Sequence, residues 1–229
     1  MPQQCEVVRN CELCLGTGME VVPGKGARRC CCRAESLQSN FAVSAQIPLR
    51  FAECTLQNYT PAQSNGSQLR ALNLAYRLVK DYPAVERGLL FAGPVGVGKT
   101  HLSVAILRGL NEKGVCGLFY ECGALLKAMQ DSYGAASQIS EANILAPVYD
   151  AEVLVLDELG ATRPTDWARD AVMQIIGSRY NRKKLTVLTT NFFDTRRASD
   201  EEILSDRVGV RVRSRLREMC LTIVMDGSD

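Results

Sequence analysis

The sequence of 229 residues contains no long apolar run, and its first ten residues are polar. A membrane-spanning helix needs about 20 consecutive apolar residues, and a secretory signal needs an apolar segment near the amino terminus. We therefore expect a protein that neither crosses a membrane nor is secreted, and we place it in the reducing cytoplasm.

A strong overall charge is also missing, because the formal net charge is only +2. The chain is therefore not a polybasic arm, and its 46% apolar and 23% charged residues are typical of a globular protein. One local excess exists: between Arg179 and Arg217 there are eleven Lys/Arg and five Asp/Glu. Such a region can face phosphates, although a solvated helix face is an equally open interpretation.

Histidine occurs once, at position 101, whereas there are ten cysteines, six of them in the first 32 residues. Disulfide-rich scaffolds are normally short and secreted, so clustered cysteines in a reducing compartment indicate a metal site. Composition divides the chain into three regions: a zinc-binding module at 1–36, a polar linker leading to the core at 37–66, and a core at 67–229.

Strand and helix patterns alternate along the core, which predicts an α/β layer with a parallel sheet. The helix over 67–80 is predicted to present Leu69, Leu72, Tyr76 and Val79 on one face. Strands are predicted at 88–92, 117–121, 153–156 and 185–188, and further helices at 99–112, 124–133 and 167–180.

A phosphate-binding loop follows the first core strand. Its glycines allow backbone N–H groups to turn inward toward a phosphate, Lys99 brings a cation to the β- and γ-phosphates, and the Thr100 hydroxyl can bind Mg²⁺. We expect His101 to lie beside the nucleotide in a packing or supporting role and not as a metal ligand. The loop matches the pattern G-x-x-x-x-G-K-[ST] with Gly93, Pro94, Val95, Gly96, Val97, Gly98, Lys99 and Thr100.

Two acids follow the buried run Val153–Leu156. Asp157 at the strand end is predicted to hold Mg²⁺, and Glu158 is predicted to polarise the attacking water. Asn191 follows the next strand and could orient water or contact the γ-phosphate, although a turn-forming asparagine is the plainer interpretation. Ligands of open α/β sheets bind at the carboxyl ends of the strands, where these groups would converge with the phosphate loop.

Taken together, these motifs resemble Walker A, Walker B and sensor 1 of AAA+ ATPases. The resemblance covers roughly residues 47–225 and is greatest to the DnaC/DnaI helicase-loader and IstB transposition-helper group, whose approach to the core is similar to 47–51 and 54–59. It implies a P-loop NTPase (AAA+) fold with a three-layer core and a parallel sheet, preceded by a small zinc-binding module. It also implies ATP and Mg²⁺ as ligands, an oligomer formed with ATP, and contacts with a hexameric replicative helicase and single-stranded DNA.

The same resemblance assigns an arginine finger. Ser214, Arg215 and Leu216 match the family's finger motif, so Arg215 is expected to reach a neighbouring subunit's nucleotide, with Arg207 and Arg211 as alternatives. The plain alternative is that the arginines from 207 to 217 form one exposed basic strand face. In helicase loaders an aromatic near Tyr133 looks like a contact to single-stranded DNA, but we slightly favour a core-facing tyrosine here.

The amino-terminal cysteines suit a structural zinc site. Cys11 and Cys14 have C-x₂-C spacing, and Cys30 and Cys32 supply a second pair across a glycine-bearing loop, which gives the four thiolates of tetrahedral Zn²⁺. Cys31 or Cys5 could replace one ligand, and an iron–sulfur cluster or no metal are alternatives. A metal would supply much of the folding free energy of so small a module.

The leading functional hypothesis is an ATP-dependent helicase loader. A transposition helper that positions a transposase on target DNA is the second hypothesis, and a zinc-centred adaptor that binds nucleotide without turnover is the third. Glu158 argues against the adaptor, because that hypothesis needs no hydrolytic base.

Overall fold

The computed structural model describes residues 12, 14–15, 19–22, 26–29, 41–62, 66–133 and 140–227. The chain divides into two compact units, 1–45 and 46–229. Within the described ranges, no helix combines the length and apolar character needed to cross a membrane.

In the amino-terminal unit, strands β1 (Met19–Val22) and β2 (Gly26–Arg29) form an antiparallel pair. Met19 lies opposite Arg29 and Val22 lies opposite Gly26. The side chain of Cys14 is buried, and residues 41–44 form a short helical turn.

The larger unit alternates helices and strands after a short 3₁₀ helix. Its elements are the 3₁₀ helix Leu49–Phe51, α1 Gly66–Asp81, β3 Gly88–Ala92, α2 Lys99–Asn111, β4 Gly117–Glu121, α3 Cys122–Ser132, α4 Glu141–Asp150, β5 Val153–Asp157, α5 Asp166–Asn181, β6 Leu185–Thr190, α6 Leu204–Val208, α7 Val210–Met219 and β7 Cys220–Val224.

Five strands form one sheet in the order β4-β5-β6-β3-β7, and every neighbouring pair is parallel. The carboxyl ends of all five strands therefore lie at one edge of the sheet. At that edge Glu121 is in register with Asp157, and Ala92 is in register with Thr190. Loops that leave this edge are brought close together although they are distant in sequence.

Helices cover both faces of the sheet and give three layers. Alternate strand residues, among them Leu154, Leu156 and Leu188, join one apolar cluster with side chains from α3 to α7. Helix α2 contacts β4, β5 and β6, and α1 packs on α2. Because β3 and β5 are buried along their whole length, the sheet has no solvated face at the site.

The predicted α/β class with a parallel sheet is confirmed, and the predicted core strands and helices are present with small shifts of their ends. Helix α4, helices α6 and α7, and strand β7 had not been predicted as elements.

The predicted face of α1 is wrong. Leu69 is 51% exposed and Tyr76 is 41% exposed, whereas the buried stripe consists of Gln68, Ala71, Ala75 and Leu78. Val79 of the predicted face is half-buried and does pack on α2, because a Cβ added to Gly109 of α2 would lie 2.9 Å from Cγ1 of Val79. Small side chains are favoured where two helices approach so closely, and larger apolar residues then lie at the margin.

Candidate nucleotide site

The phosphate loop connects the end of β3 to the start of α2. Gly96 and Gly98 have φ angles of 82° and 85°, which favour glycine. Gly98 is also the N-cap of α2, so the backbone N–H groups of the first turn face the loop. A Cβ on Gly93 would lie 2.0 Å from the carbonyl oxygen of Met225, which fixes the loop against the end of the sheet.

The side chain of Tyr59 packs against this loop. Its hydroxyl donates a hydrogen bond of 2.8 Å to the carbonyl of Val97, and burial raises its pKa to about 12. A Cβ on Gly98 would lie 2.4 Å from Cε2 of the same ring. The edge of Tyr59 also contacts the ring of His101, whose Nε2 hydrogen bonds to the carbonyl of Thr55 at 2.9 Å. In the structure His101 therefore anchors the segment before the core.

Lys99 lies inside the loop and is 8% exposed. Its Nζ donates to the carbonyls of Gly93 at 2.9 Å and Pro94 at 2.5 Å. Burial lowers the pKa of Lys99, while the charges of Asp157 and Glu158 act in the opposite direction. The ammonium is thus held by the loop's own carbonyls at the centre of the site.

Asp157 is buried at the end of β5 and accepts hydrogen bonds from two threonine hydroxyls. Thr100 Oγ1 lies 3.0 and 3.1 Å from the two carboxylate oxygens, and Thr189 Oγ1 lies 2.6 Å from Oδ1. Burial raises the pKa of Asp157, whereas both threonine hydrogen bonds lower it. A hydroxyl and a carboxylate at this distance are hard oxygen donors of the kind that Mg²⁺ prefers, so these residues fit that ion.

Glu158 is the exposed partner of this acid pair. Its backbone has φ 56°, in the left-handed region, and its N–H donates to Thr189 Oγ1 at 2.9 Å. A non-glycine residue in this region costs roughly 1–2 kcal/mol, so the surrounding contacts must maintain it. Burial raises the pKa of Glu158, and the negative charges of Asp157 and Glu121 raise it further.

A third acid, Glu121, was not assigned to the site from the sequence. It ends β4, and its carboxylate caps α3 by accepting from the N–H groups of Gly123 at 2.6 Å and Ala124 at 2.7 Å. Its charge contributes to the raised pKa of both Asp157 and Glu158. The signal that could have identified it is an acid at the carboxyl end of the neighbouring predicted strand.

These groups line one cavity of about 480 Å³, a size typical of small-molecule sites. It brings together nine of the predicted site residues: Val95, Gly96, Gly98, Lys99, Thr100, His101, Asp157, Glu158 and Asn191. Residues that sequence reasoning had not assigned to the site are Pro48, Arg50, Phe51, Phe119, Glu121 and Thr189.

The 3₁₀ helix Leu49–Phe51 forms part of the wall of this cavity. The guanidinium of Arg50 lies 4.7 Å from the centre of the Phe51 ring, and its charge lowers the pKa of Glu158. An aromatic ring and a cation next to a phosphate loop can contact a flat, negatively charged ligand.

The three candidate finger arginines lie on helices, so the interpretation of an exposed basic strand face is wrong. Arg215 on α7 is turned toward α5, where its Nη1 contacts Met173 Sδ at 3.0 Å and its guanidinium lies 5.8 Å from the ring centre of Tyr180. Arg211 is exposed, and Arg207 is largely enclosed within its own chain. The cavity lining given above includes none of the three.

Much of the basic region is paired with acids of the same chain. Arg213 and Arg217 both bind Asp194, which lowers the pKa of that carboxyl. Ion pairs also join Arg182 to Asp150, Arg196 to Asp206 and Arg197 to Asp226. The region therefore offers less free positive charge to a phosphate backbone than its composition indicates.

Tyr133 follows α3 and is 56% exposed, so the interpretation as a core-facing tyrosine is wrong. It lies edge-on to Trp167, with ring centres 6.3 Å apart. The two preceding members of the predicted face, Leu125 and Met129, are buried as expected. The exposed position leaves Tyr133 accessible to a partner.

Of the predicted zinc ligands, only Cys14 falls within the described residues. Cys11, Cys30 and Cys32, and the alternatives Cys31 and Cys5, lie outside them. In the part of the chain that the structure describes, no group of three or more His, Cys, Asp or Glu side chains could hold a metal ion. The zinc prediction therefore stays a prediction.

Comparisons with a family model and with known proteins point to the same family. The family model of IstB-like ATP binding proteins matches residues 32–205 of this chain. The replicative helicase loader DnaC of Escherichia coli (strain K12) is 29% identical over 185 residues, which are 81% of this chain and 71% of that protein.

Solved structures show the same fold. A crystal structure of the DnaC helicase loader is 36% identical, with a TM-score of 0.68 over 78% of this chain and 99% of that chain. A crystal structure of DnaI is 24% identical, with a TM-score of 0.65 over 78% of this chain and 94% of that chain, and it supports the fold alone.

Proposed function

This chain belongs to the family of IstB-like ATP binding proteins, with the AAA+ fold, and we propose that it is an ATP-hydrolysing helicase loader. The observation that carries the proposal is the 480 Å³ cavity at the carboxyl ends of the strands. In it the phosphate loop, the acid pair of β5 and the asparagine after β6 converge. The similarity to DnaC helicase loaders supports the choice of partner.

The chain's own residues bind the triphosphate. The backbone N–H groups of the loop and the start of α2 hold the phosphates, and Lys99 exchanges its loop carbonyls for β- and γ-phosphate oxygens. Thr100 and Asp157 would hold Mg²⁺, and the charge of the ion would neutralise part of the charge of the phosphates. Arg50 and Phe51 lie where the rest of the nucleotide can contact the wall of the cavity.

Glu158 acts as the base or positioning group for the attacking water. Its carboxylate lines the cavity beside Asp157, within the same site as the phosphate loop, where it can accept a proton from a water that attacks the γ-phosphate. Asn191 lines the same cavity, and its amide orients the water or contacts the γ-phosphate.

The site is completed by a second copy of the chain. Arg215 does not line the nucleotide cavity of its own chain, as expected of a residue that serves a neighbouring subunit. Its side chain would move away from α5 and toward the γ-phosphate bound by the partner. Arg211 is exposed on the same helix and is the alternative. An oligomer that forms with ATP and weakens after hydrolysis would bind a partner tightly in one nucleotide state and weakly in the other.

The partners that this function requires are a hexameric replicative helicase and single-stranded DNA, in the cytoplasm. Tyr133, which is exposed and lies edge-on to the half-buried Trp167, offers an aromatic ring on which bases can stack without sequence preference. The region 1–36 with Cys11, Cys14, Cys30 and Cys32 would be a zinc-binding module that docks the helicase or contacts DNA.

Hydrolysis and loading are tested with two variants. Lys99→Ala removes the phosphate-binding cation and should abolish helicase loading. Glu158→Gln should bind ATP and fail to turn it over. Equal turnover by Glu158→Gln and wild type would favour the nucleotide-binding adaptor, and intact loading by Lys99→Ala would exclude the loading mechanism.

A transposition helper is the second candidate, because the matching family model is that of IstB-like proteins. The same ATPase core would then position a transposase on duplex DNA. Nucleotide-dependent binding to a transposase and duplex DNA, without binding to the helicase, would favour it.

A further inference from the structure

The backbone that carries Glu158 is a tight turn with two left-handed residues. Glu158 has φ 56° and Gly160 has φ 84°, and the turn is closed by a hydrogen bond of 3.1 Å from the N–H of Ala161 to the carbonyl of Glu158. A left-handed glutamate persists only where other contacts hold the backbone. The contacts that hold this turn therefore decide where the Glu158 carboxylate can lie.

Thr189 and Thr190 of β6 hold one side of the turn, and the contacts on its other side come from Arg207 of α6. Its Nε donates to the carbonyl of Gly160 at 2.9 Å, and its Nη2 donates to the carbonyls of Thr162 at 3.0 Å and Ala161 at 3.3 Å. Its Nη1 forms an ion pair with Glu202 at 2.8 Å. The side chain is only 12% exposed, and each of its three nitrogens donates to an acceptor of the same chain.

Arg207 also contacts the loop that carries Asn191. Its guanidinium lies 4.8 Å from the ring centre of Phe192, the next residue. Gly160 makes this contact possible, because a Cβ there would lie 3.1 Å from Cβ of Arg207 and 3.4 Å from Cδ2 of Phe192. One side chain thus joins the turn after β5 to the loop after β6.

We propose that Arg207 is a positioning residue that acts in its own subunit and holds the Glu158 turn in its hydrolytic geometry. This inference rests on the proposed ATPase function of Glu158. It removes Arg207 from the alternatives for the finger that acts between subunits, since its guanidinium is already bound to three consecutive carbonyls. The planar fork of arginine can serve these acceptors together, whereas a lysine ammonium cannot.

The proposal predicts a loss of turnover with little loss of binding. Because Arg207 does not line the cavity, Arg207→Ala should leave the Kd for ATP close to that of wild type. The displaced Glu158 should lower kcat by roughly 10- to 100-fold. Arg207→Lys should restore little of this activity. Arg182→Ala, which removes another arginine that pairs with an acid, is the matched control and should have wild-type kcat.

A second readout reports the turn directly. In Arg207→Ala, hydrogen–deuterium exchange should be faster at the amides of 158–161, and the Arg182→Ala control should exchange as wild type does. Unchanged exchange in this turn together with a normal kcat would overturn the inference.

Mixing chains separates action within a subunit from action between subunits. In mixtures of Arg207→Ala with Lys99→Ala, the second chain carries an intact Arg207 and could supply it only across an interface. We expect no recovery of activity, and recovery would overturn the inference. Failure of the proposed ATPase function would look different from failure of the inference about Arg207. In that case wild type would not hydrolyse ATP, or Glu158→Gln would hydrolyse it equally well.

Discussion

The hydroxyl of Thr189 connects the two acids of the site. It donates to Oδ1 of Asp157 at 2.6 Å and accepts from the N–H of Glu158 at 2.9 Å. Thr189 lies on β6 and both acids belong to the end of β5, so one buried side chain fixes the metal-binding acid and the backbone of the proposed base. Neighbouring parallel strands make such a link possible, because their carboxyl ends meet at one edge.

Thr189→Val should therefore impair hydrolysis. Valine has a similar shape but leaves the buried N–H of Glu158 without its acceptor, which costs about 1–3 kcal/mol. We expect kcat to fall roughly 10-fold as both acids shift. Steady-state ATP hydrolysis over a magnesium titration measures this, and Thr189→Ser, which keeps the hydroxyl, should remain near wild type. Equal activity of the two variants would contradict the role of the hydroxyl.

Two glycines with the same φ angle provide a matched test of the contact between Tyr59 and the phosphate loop. Gly98 and Gly114 both have φ 85°, but a Cβ on Gly114 meets nothing within 4 Å, whereas one on Gly98 meets the ring of Tyr59. Gly114→Ala should lower stability by only about 1–2 kcal/mol. Gly98→Ala should in addition weaken ATP binding by roughly 10-fold or more, equivalent to at least about 1.4 kcal/mol. Similar ATP affinities of both variants, measured by calorimetry, would argue against the Tyr59 support.

Local patterns in the sequence predicted the parts of the site that are continuous in the chain. The phosphate loop requires its glycines and its lysine in a fixed order, and the acid pair directly follows an apolar run. Since the carboxyl ends of parallel strands share an edge, the convergence of the loop, Asp157 and Asn191 could also be predicted.

Contacts between distant segments could not be predicted in this way. Tyr59 reaches a loop 38 residues away, and Arg207 reaches a turn 47 residues away. Periodicity also failed for part of α1, where Ala71, Ala75 and Leu78 are buried and Leu69 lies outside the buried stripe. The alternation of Val208, Val210 and Val212 is typical of a strand, whereas the residues that are buried are Val208, Val212 and Leu216 at four-residue spacing.

A buried arginine on α5 should be essential for stability. Arg179 is fully buried and donates to the carbonyls of Val148, Ala151 and Leu185 and to the hydroxyl of Thr186. Burial lowers its pKa to about 10, which leaves it charged at neutral pH. These contacts join α4, α5 and β6 at the edge of the sheet opposite the site.

Arg179→Met leaves several buried acceptors without a donor, so the free energy of unfolding should fall by about 3 kcal/mol or more. Arg182→Met removes an exposed ion pair with Asp150 and a cation–π contact with Tyr149, and should change the free energy of unfolding by less than about 1 kcal/mol. Urea denaturation followed by circular dichroism compares the two. A similar small effect of both changes would contradict the structural role of Arg179.

The proposed zinc module predicts a stoichiometric metal. Purified protein should contain one zinc ion per chain, measured by atomic emission after exhaustive dialysis. Cys14→Ser should lose the metal, whereas Cys116→Ser, at an exposed cysteine of the larger unit, should retain it. Iron in place of zinc would favour a cluster, and full zinc content in Cys14→Ser would exclude Cys14 as a ligand.

In the proposed function, the bound nucleotide controls an interaction with a replicative helicase. Size-exclusion chromatography with light scattering tests it most directly, with the helicase present and with either ATP or ADP. We expect a stable complex whose mass or stability differs between the two nucleotides for wild type, and no such difference for Lys99→Ala. If no complex with the helicase forms in either nucleotide, the protein is not a helicase loader.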